Sequence, residues 1–170
     1  TTDIYTLLFS AASDVYKRQV VDGFAVANYL KKNEKDVFKI LTQTYVKFKD
    51  TDYTQKAVRI LHSPIITLTK DNDFNDIRFS MAAMGAVDVD PKKMKKFYDA
   101  YQYFASLLQN KKFKIDFRLE AGDIFCFNNR RVLHGRTEFD PNSGNRHLQG
   151  YYIERDEIIG RLNYFNNIKV

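Results

Sequence analysis

A chain of 170 residues with 44% hydrophobic and 28% charged residues is typical of a soluble globular protein with one domain or part of one. The net charge of +6 comes from basic residues dispersed among acidic ones, so we expect no nucleic-acid partner. No apolar run reaches the length of a bilayer span, so we expect no membrane partner either. The lone cysteine, Cys126, lies in an apolar segment, which favours a reducing, cytoplasmic location and a buried, inert thiol.

The first nineteen residues differ in character from the rest of the chain. Residues 10–19 read S-A-A-S-D-V-Y-K-R-Q, which resembles the read-through of a transposase sequencing adapter, and residues 1–6 resemble the outer primer of such a library. A natural N-terminus is the alternative. We therefore predict that residues 1–19 are a non-native segment and that residues 20–170 carry the natural domain.

The next part of the chain predicts two helices followed by short strands. Asp22 is a candidate N-cap within a helical segment over Val20–Lys32, and a second helix is predicted over Glu34–Thr44. Runs of β-branched and aromatic residues then predict strands, and Ser63-Pro64 interrupts one pair of them. The predicted strands are Tyr45–Lys49, two within Lys56–Thr69, and Asp76–Ser80.

Asp90-Pro91 predicts the start of the longest helix, because Asp favours the N-cap and Pro the first helical position. An apolar stripe at helical spacing continues to about Asn110. Phe113–Leu119 then alternates apolar and charged residues, as a half-buried antiparallel strand does. The remaining predicted elements are a buried strand over Ile124–Phe127, strands over Val132–Arg136 and Arg146–Glu154, and a helix over Arg155–Phe165. Many short strands with one long helix predict a mainly β fold with helices, in the α+β class.

One of the three histidines has the context of a functional residue. His134 follows an apolar strand and precedes Gly135, which leaves space for a ligand to approach the imidazole. A packed core histidine is the alternative. His62 and His147 are expected to be structural or surface residues, since one adjoins a kink and the other is predicted to face away from the site.

An arginine on the following predicted strand strengthens this hypothesis. Arg146 is predicted to face inward with Tyr152, where a guanidinium needs an anionic partner. That partner is either a protein carboxylate, such as Asp123 or Glu138, or the carboxylate of a bound ligand. An imidazole beside an anion-binding arginine is consistent with a non-haem iron site.

Two segments then resemble a known family. Residues 122–136, G-D-I-F-C-F-N-N-R-R-V-L-H-G-R, and residues 146–158, R-H-L-Q-G-Y-Y-I-E-R-D-E-I, are similar to the C-terminal part of gamma-butyrobetaine and trimethyllysine dioxygenases. Both enzymes belong to the taurine-dioxygenase-like group of Fe(II)/2-oxoglutarate oxygenases. The resemblance spans about Val20 to Tyr164 and implies a partial double-stranded β-helix, or jelly roll.

The resemblance also implies roles for individual residues. His134 corresponds to the distal iron ligand, and Arg146 to the arginine that binds the far carboxylate of 2-oxoglutarate. Tyr152 matches an aromatic wall around a trimethylammonium group, with Tyr151 as the neighbouring alternative. The implied cofactors are Fe(II) and the co-substrate 2-oxoglutarate, with ascorbate left open. The implied reaction is hydroxylation of a small trimethylammonium carboxylate, with gamma-butyrobetaine to carnitine as the favoured example.

The sequence departs from this family at one point. The H-x-D or H-x-E pair that supplies the family's other iron ligands occurs nowhere in the 170 residues. We therefore predict an incomplete, inactive part of a dioxygenase. The alternatives are a hydroxylase of trimethyllysine or another small molecule, a cupin-like metal enzyme that does not use 2-oxoglutarate, and a non-catalytic jelly-roll binding domain. A homodimer also stays open.

Overall fold

The structure is a computed structural model that describes residues 4–12, 18–80, 83–87, 89–136 and 147–167. Residues 22–114 form one compact unit, and the strands and helix on either side of them in the chain form a second. In chain order the described elements are β1 (Ile4–Ala12), β2 (Arg18–Asp22), α1 (Gly23–Asn33), α2 (Lys35–Gln43), β3 (Val46–Asp52), β4 (Ala57–Ser63), β5 (Ile66–Leu68), β6 (Phe74–Ile77), α3 (Pro91–Gln109), β7 (Lys114–Phe117), β8 (Ile124–Asn128), β9 (Val132–Arg136), β10 (His147–Glu154) and α4 (Arg155–Asn167). Among the described helices, none combines the length and the apolarity that a bilayer crossing requires.

The unit of residues 22–114 packs α1, α2 and α3 together with two antiparallel hairpins, β3–β4 and β5–β6. The apolar stripes of the helices and alternate residues of the strands supply its core, so the periodicities of the sequence determine which side chains are buried. The most completely buried large side chains are Val26, Leu30, Leu41, Val46, Ile65, Ile66, Phe97 and Phe104. Each such side chain contributes about 1.5–3 kcal/mol through burial.

The predicted helix starts at Asp22 and Asp90 are confirmed. Asp22 Oδ1 accepts hydrogen bonds from the backbone N–H groups of Phe24 and Ala25, at 3.0 and 3.4 Å. Asp90 Oδ1 accepts from the backbone N–H of Lys92 at 2.9 Å. Asp22 also ends β2, so the valines at 20 and 21 are strand residues and not the first turn of the helix. β-branched residues pack well in extended backbone, which explains this boundary.

The second unit contains two three-stranded sheets among its described residues, with strand orders β10-β1-β8 and β7-β2-β9. In the first of these sheets, β1 pairs antiparallel with β10 on one side and with β8 on the other. The elements predicted from the sequence do not include β1, because residues 1–19 are predicted to be a non-native segment. Whether that segment is native stays a prediction, since a strand's pairing does not reveal its origin.

The prediction that Ile124–Phe127 is a buried strand is wrong for half of its side chains. Phe127 is 6% exposed, whereas Ile124 is 60% exposed, because successive residues of a strand project to opposite faces. The prediction of a buried Cys126 is wrong for the same reason, since its thiol lies on the exposed face. Ile115 of β7, predicted to face inward, is also exposed.

The remaining strand and helix predictions are close to the structure. The kink at Ser63-Pro64 separates β4 from β5 as predicted, while β6 begins two residues before the predicted Asp76. The closing helix is confirmed as α4, but none of its described side chains is buried, so its apolar positions are not core positions within the described residues. The predicted loop Phe139–Asn145 lies outside the described residues.

Candidate active site

His134 lies at the middle of β9, and its side chain is exposed. Its imidazole ring is 4.9 Å from the ring of Phe127, measured between centroids, with the two planes inclined at 59°. Phe127 belongs to β8 and is buried. The histidine therefore contacts a buried aromatic ring while its own side chain is exposed, which does not fit the alternative of a packed core histidine.

A tight turn brings these two residues together. The backbone N–H of Arg130 donates to Asn128 Oδ1 at 2.9 Å, and the N–H of Arg131 donates to the Asn128 carbonyl at 3.0 Å. Asparagine favours such turns because its side chain can accept a backbone hydrogen bond two residues along the chain. Since β8 and β9 belong to different sheets, this turn carries the chain from one sheet to the other and sets His134 beside Phe127.

Phe127 is the last ring of a row that crosses from β7 to β8. The ring of Phe117 lies 4.9 Å from that of Phe125 at 66°, and Phe125 lies 4.9 Å from Phe127 at 30°. Tilted and edge-on arrangements at this separation are favourable for aromatic pairs. No signal in the sequence marks Phe127 as a site residue, although its position two residues after Phe125 in a strand predicts that both rings share a face.

A side chain on Gly135 would project from the face of β9 opposite to that of His134. For a methyl group placed there, the nearest atom among the described residues, its two chain neighbours aside, is Gln19 Oε1 of β2 at 4.0 Å. An ordinary van der Waals distance of this kind means that no neighbouring atom requires glycine here. It does not test the predicted room for a ligand beside the imidazole, which stays a prediction.

The two candidate tyrosines of β10 face opposite sides of their sheet. Tyr152 lies opposite Thr6, and Thr6 lies opposite Phe127 on the other side of β1. Because directly opposed residues project from the same face, Tyr152 shares a face with Phe127. Tyr151 shares the other face with Cys126, through Leu7. Both tyrosines are exposed, at 70% for Tyr152 and 52% for Tyr151.

Arg146, the predicted partner of 2-oxoglutarate, lies outside the described residues, as does Glu138. The other protein carboxylate considered for Arg146, that of Asp123, accepts the backbone N–H of Glu120 at 2.8 Å and closes the predicted turn before β8. His62 is an exposed residue of β4 opposite Lys47 in the other unit, in keeping with the surface role expected of it.

The described residues do not provide a complete iron site. No group of three or more His, Cys, Asp or Glu side chains that could hold a metal ion occurs in the parts of the chain that the structure describes. The full sequence also contains no H-x-D or H-x-E pair. Since a non-haem iron centre of this kind needs two histidines and a carboxylate, His134 can supply only one ligand of the three.

Comparison with known proteins defines the family. Residues 18–152 match the taurine catabolism dioxygenase TauD, TfdA family, and the chain belongs to this family. The chain is 37% identical over 142 residues to gamma-butyrobetaine dioxygenase of Pseudomonas sp. (strain AK-1), covering 84% of this chain and 37% of that protein. It is 36% identical over 148 residues to the Homo sapiens gamma-butyrobetaine dioxygenase, covering 85% of this chain and 38% of that protein.

Trimethyllysine dioxygenase of Meyerozyma guilliermondii is 28% identical over 150 residues, which cover 86% of this chain and 37% of that protein. The chain thus spans less than two-fifths of the length of these curated relatives.

Solved structures confirm the fold. A taurine dioxygenase from Burkholderia xenovorans superposes with a TM-score of 0.68 at 13% identity, over 89% of this chain and 52% of that chain. An asparagine oxygenase solved with Fe(II), 3-hydroxyasparagine and succinate superposes with a TM-score of 0.66 at 20% identity, over 90% of this chain and 46% of that chain. The expected jelly-roll fold of the 2-oxoglutarate oxygenase type, with its mixture of helices and antiparallel strands, is confirmed.

Proposed function

We propose that residues 20–170 are the C-terminal part of an Fe(II)- and 2-oxoglutarate-dependent dioxygenase that hydroxylates a small trimethylammonium carboxylate. The 37% identity to a gamma-butyrobetaine dioxygenase is the observation that carries this proposal, because it covers 84% of the chain. Gamma-butyrobetaine is the first candidate substrate, and trimethyllysine is the second because of the weaker match to a trimethyllysine dioxygenase. Residues 1–19 are a non-native segment on this proposal.

His134 supplies one imidazole ligand to the iron on this proposal. Its exposed side chain supports that role, since a metal ligand must be reachable. Arg146 pairs with the far carboxylate of 2-oxoglutarate, for which a guanidinium offers two parallel hydrogen bonds. Both roles rest on the family pattern together with the chemistry of the two side chains.

Tyr152 forms part of the wall around the trimethylammonium group. Its ring is exposed and shares a sheet face with Phe127, the residue that contacts His134. Strands in a sheet are about 4.8 Å apart, so Tyr152 is about 10 Å from Phe127 across β1. Tyr151 projects from the opposite face and is the weaker candidate.

The 170-residue chain by itself is inactive on this proposal, because its sequence lacks the H-x-D or H-x-E pair. One imidazole does not hold Fe(II) against water and buffer, so the remaining ligands must come from residues that this chain does not contain. No step of the reaction can be assigned to this chain alone. The proposed partner of the protein is a small molecule, with neither a nucleic acid nor a membrane involved. The proposed location is the cytoplasm. A homodimer stays open.

A fusion protein tests the proposal. The part of the Pseudomonas relative that precedes the matched region is joined to residues 20–170, and folding is checked by circular dichroism and sedimentation. We expect Fe(II)-dependent succinate formation with gamma-butyrobetaine, and faster turnover with it than with trimethyllysine. His134→Ala should abolish turnover, whereas His62→Ala, a change at an exposed histidine of the other unit, should leave it intact.

Arg146→Ala separates 2-oxoglutarate chemistry from that of other metal enzymes. Loss of hydrogen bonds to a charged group costs about 1.5–3 kcal/mol, which corresponds to a rise of roughly 10- to 150-fold in the apparent KM for 2-oxoglutarate. A folded fusion whose turnover survives His134→Ala would contradict the proposal and favour a non-catalytic role for this histidine. An unchanged KM for 2-oxoglutarate in Arg146→Ala would contradict the role of the arginine alone.

A further inference from the structure

We propose that Phe127 is a positioning residue that holds the His134 imidazole in one orientation. This inference deepens the proposed function and rests on it, because the orientation matters for catalysis only if His134 binds a metal. The contact between the two rings is independent of that role. Phe127 touches neither the substrate nor the metal in this account, so it acts only through the histidine.

An exposed histidine on a strand ordinarily has access to more than one staggered χ1 rotamer. His134 meets a neighbouring ring on one side at a centroid distance of 4.9 Å, and rotation toward that side is blocked by the ring's volume. A ligand with several rotamers loses affinity for a metal, because binding must first select one of them. Restriction by Phe127 would lower this cost in a protein that also contains the other two ligands.

Phe127 can do this because it is itself fixed. Its side chain is 6% exposed and packs against Phe125 at 4.9 Å, which in turn packs against Phe117. The Asn128 turn fixes the backbone between Phe127 and His134. The backbone of the turn and the ring of Phe127 are therefore both fixed, and the ring contacts the imidazole of His134.

Nuclear magnetic resonance of the metal-free 170-residue chain tests the proposal. The readouts are the three-bond couplings that report χ1 of His134 and the ring-current shift of its imidazole protons. The variants are Phe127→Leu, which keeps an apolar side chain, Phe127→Tyr, which restores the ring, and Phe125→Leu as the matched control. Phe125 shares the strand and the face of Phe127, and its recorded ring contacts are with Phe117 and Phe127.

We expect the native chain to show one His134 rotamer and a ring-current shift. Phe127→Leu should give averaged couplings and remove most of the shift, while Phe127→Tyr should resemble the native chain. Phe125→Leu, which removes only the support behind Phe127, should have a smaller effect than Phe127→Leu. Unchanged couplings in Phe127→Leu would overturn the proposal. An equal effect of Phe125→Leu would also overturn it, because general loosening of the sheet would then explain the result.

These outcomes are separable from the fate of the proposed function. The resonance experiment contains no metal and reports only the orientation of the imidazole. If the fusion protein keeps its turnover after His134→Ala, the proposed function fails even when Phe127→Leu releases the ring. If the fusion loses turnover after His134→Ala but Phe127→Leu leaves the couplings unchanged, the proposed function stands and the positioning role of Phe127 fails.

Discussion

Tyr152 and Phe127 lie opposite the same residue, Thr6, on the two sides of β1. Their side chains therefore project from one face of the sheet, and the Phe127 ring contacts His134. The neighbouring Tyr151 projects from the other face with Cys126. This relationship separates two adjacent tyrosines that the sequence leaves as alternatives.

The first prediction concerns these tyrosines in the fusion protein. The fusion lacks β1, so the prediction rests on the alternation of adjacent residues within β10. Tyr152→Ala should raise the KM for gamma-butyrobetaine by roughly 2- to 30-fold, because a cation over an aromatic face is worth about 0.5–2 kcal/mol. Tyr152→Phe should keep most of the affinity, since the ring face carries the attraction. Tyr151→Ala is the control and should change the KM little. A larger effect of Tyr151→Ala than of Tyr152→Ala in steady-state kinetics would show that Tyr151, and not Tyr152, faces the substrate.

Local signals in the sequence predict much of the unit of residues 22–114. The caps at Asp22 and Asp90 and the stripe of α3 are readable because a helix start depends on hydrogen bonds within three residues. The sequence does not predict which face of β8 is buried. An apolar run of four residues fits a strand that is covered on one face as well as a strand that is covered on both. The exposure of Cys126 follows from that choice.

For a similar reason, the sequence predicts only some features of the candidate site. His134 and its glycine neighbour are adjacent in sequence, so their context is visible there. The support from Phe127 and the shared face with Tyr152 depend on pairing between strands far apart in the chain, through β1. Such pairing is set by the tertiary fold and by register, which the residues of a single strand do not specify.

The second prediction concerns the start of α3. Asp90→Ala removes the acceptor of the Lys92 N–H and should lower the free energy of unfolding by about 1 kcal/mol. Urea denaturation followed by circular dichroism measures the change. Asp73→Ala, at an exposed turn position, is the matched control and should change stability by less than about 0.5 kcal/mol. Equal effects of the two substitutions would argue against the cap.

The third prediction concerns the central strand β1. Deleting residues 1–12 should leave β8 and β10 with unpaired edges, because both strands pair with β1. Hydrogen exchange should show loss of protection in β8 and β10, while α1 and α3 of the other unit keep theirs. Deletion of residues 1–3, which precede β1, is the control. Full protection of β8 and β10 in the longer deletion would mean that β1 does not hold this sheet together.

The fourth prediction concerns pH. The backbone N–H of Gln55 donates to Asp52 Oδ1 at 2.9 Å, and this hydrogen bond, helped by the Arg59 guanidinium at 3.5 Å, lowers the pKa of Asp52 below its ordinary 3.8. Because the pKa of Asp52 is lower in the folded chain than in the unfolded chain, its carboxylate stabilises the fold at pH values above the unfolded-state pKa. This stabilisation is lost as the pH falls through the folded-state pKa. Carbon-detected titration of the Asp52 carboxyl should therefore give a midpoint below 3.8.

Arg59→Gln should raise the Asp52 pKa only in part, because the Gln55 hydrogen bond remains. A midpoint at or above 3.8 in the unaltered chain would contradict the hydrogen-bonded geometry of this turn.

The central claim is that this chain holds one part of a dioxygenase site and lacks the residues that complete it. Anaerobic titration of the 170-residue chain with Fe(II) in the presence of 2-oxoglutarate, followed by exposure to oxygen and an assay for succinate, tests it most directly. The account predicts no stoichiometric Fe(II) binding and no succinate above background. Binding of one Fe(II) per chain with turnover of 2-oxoglutarate would contradict it.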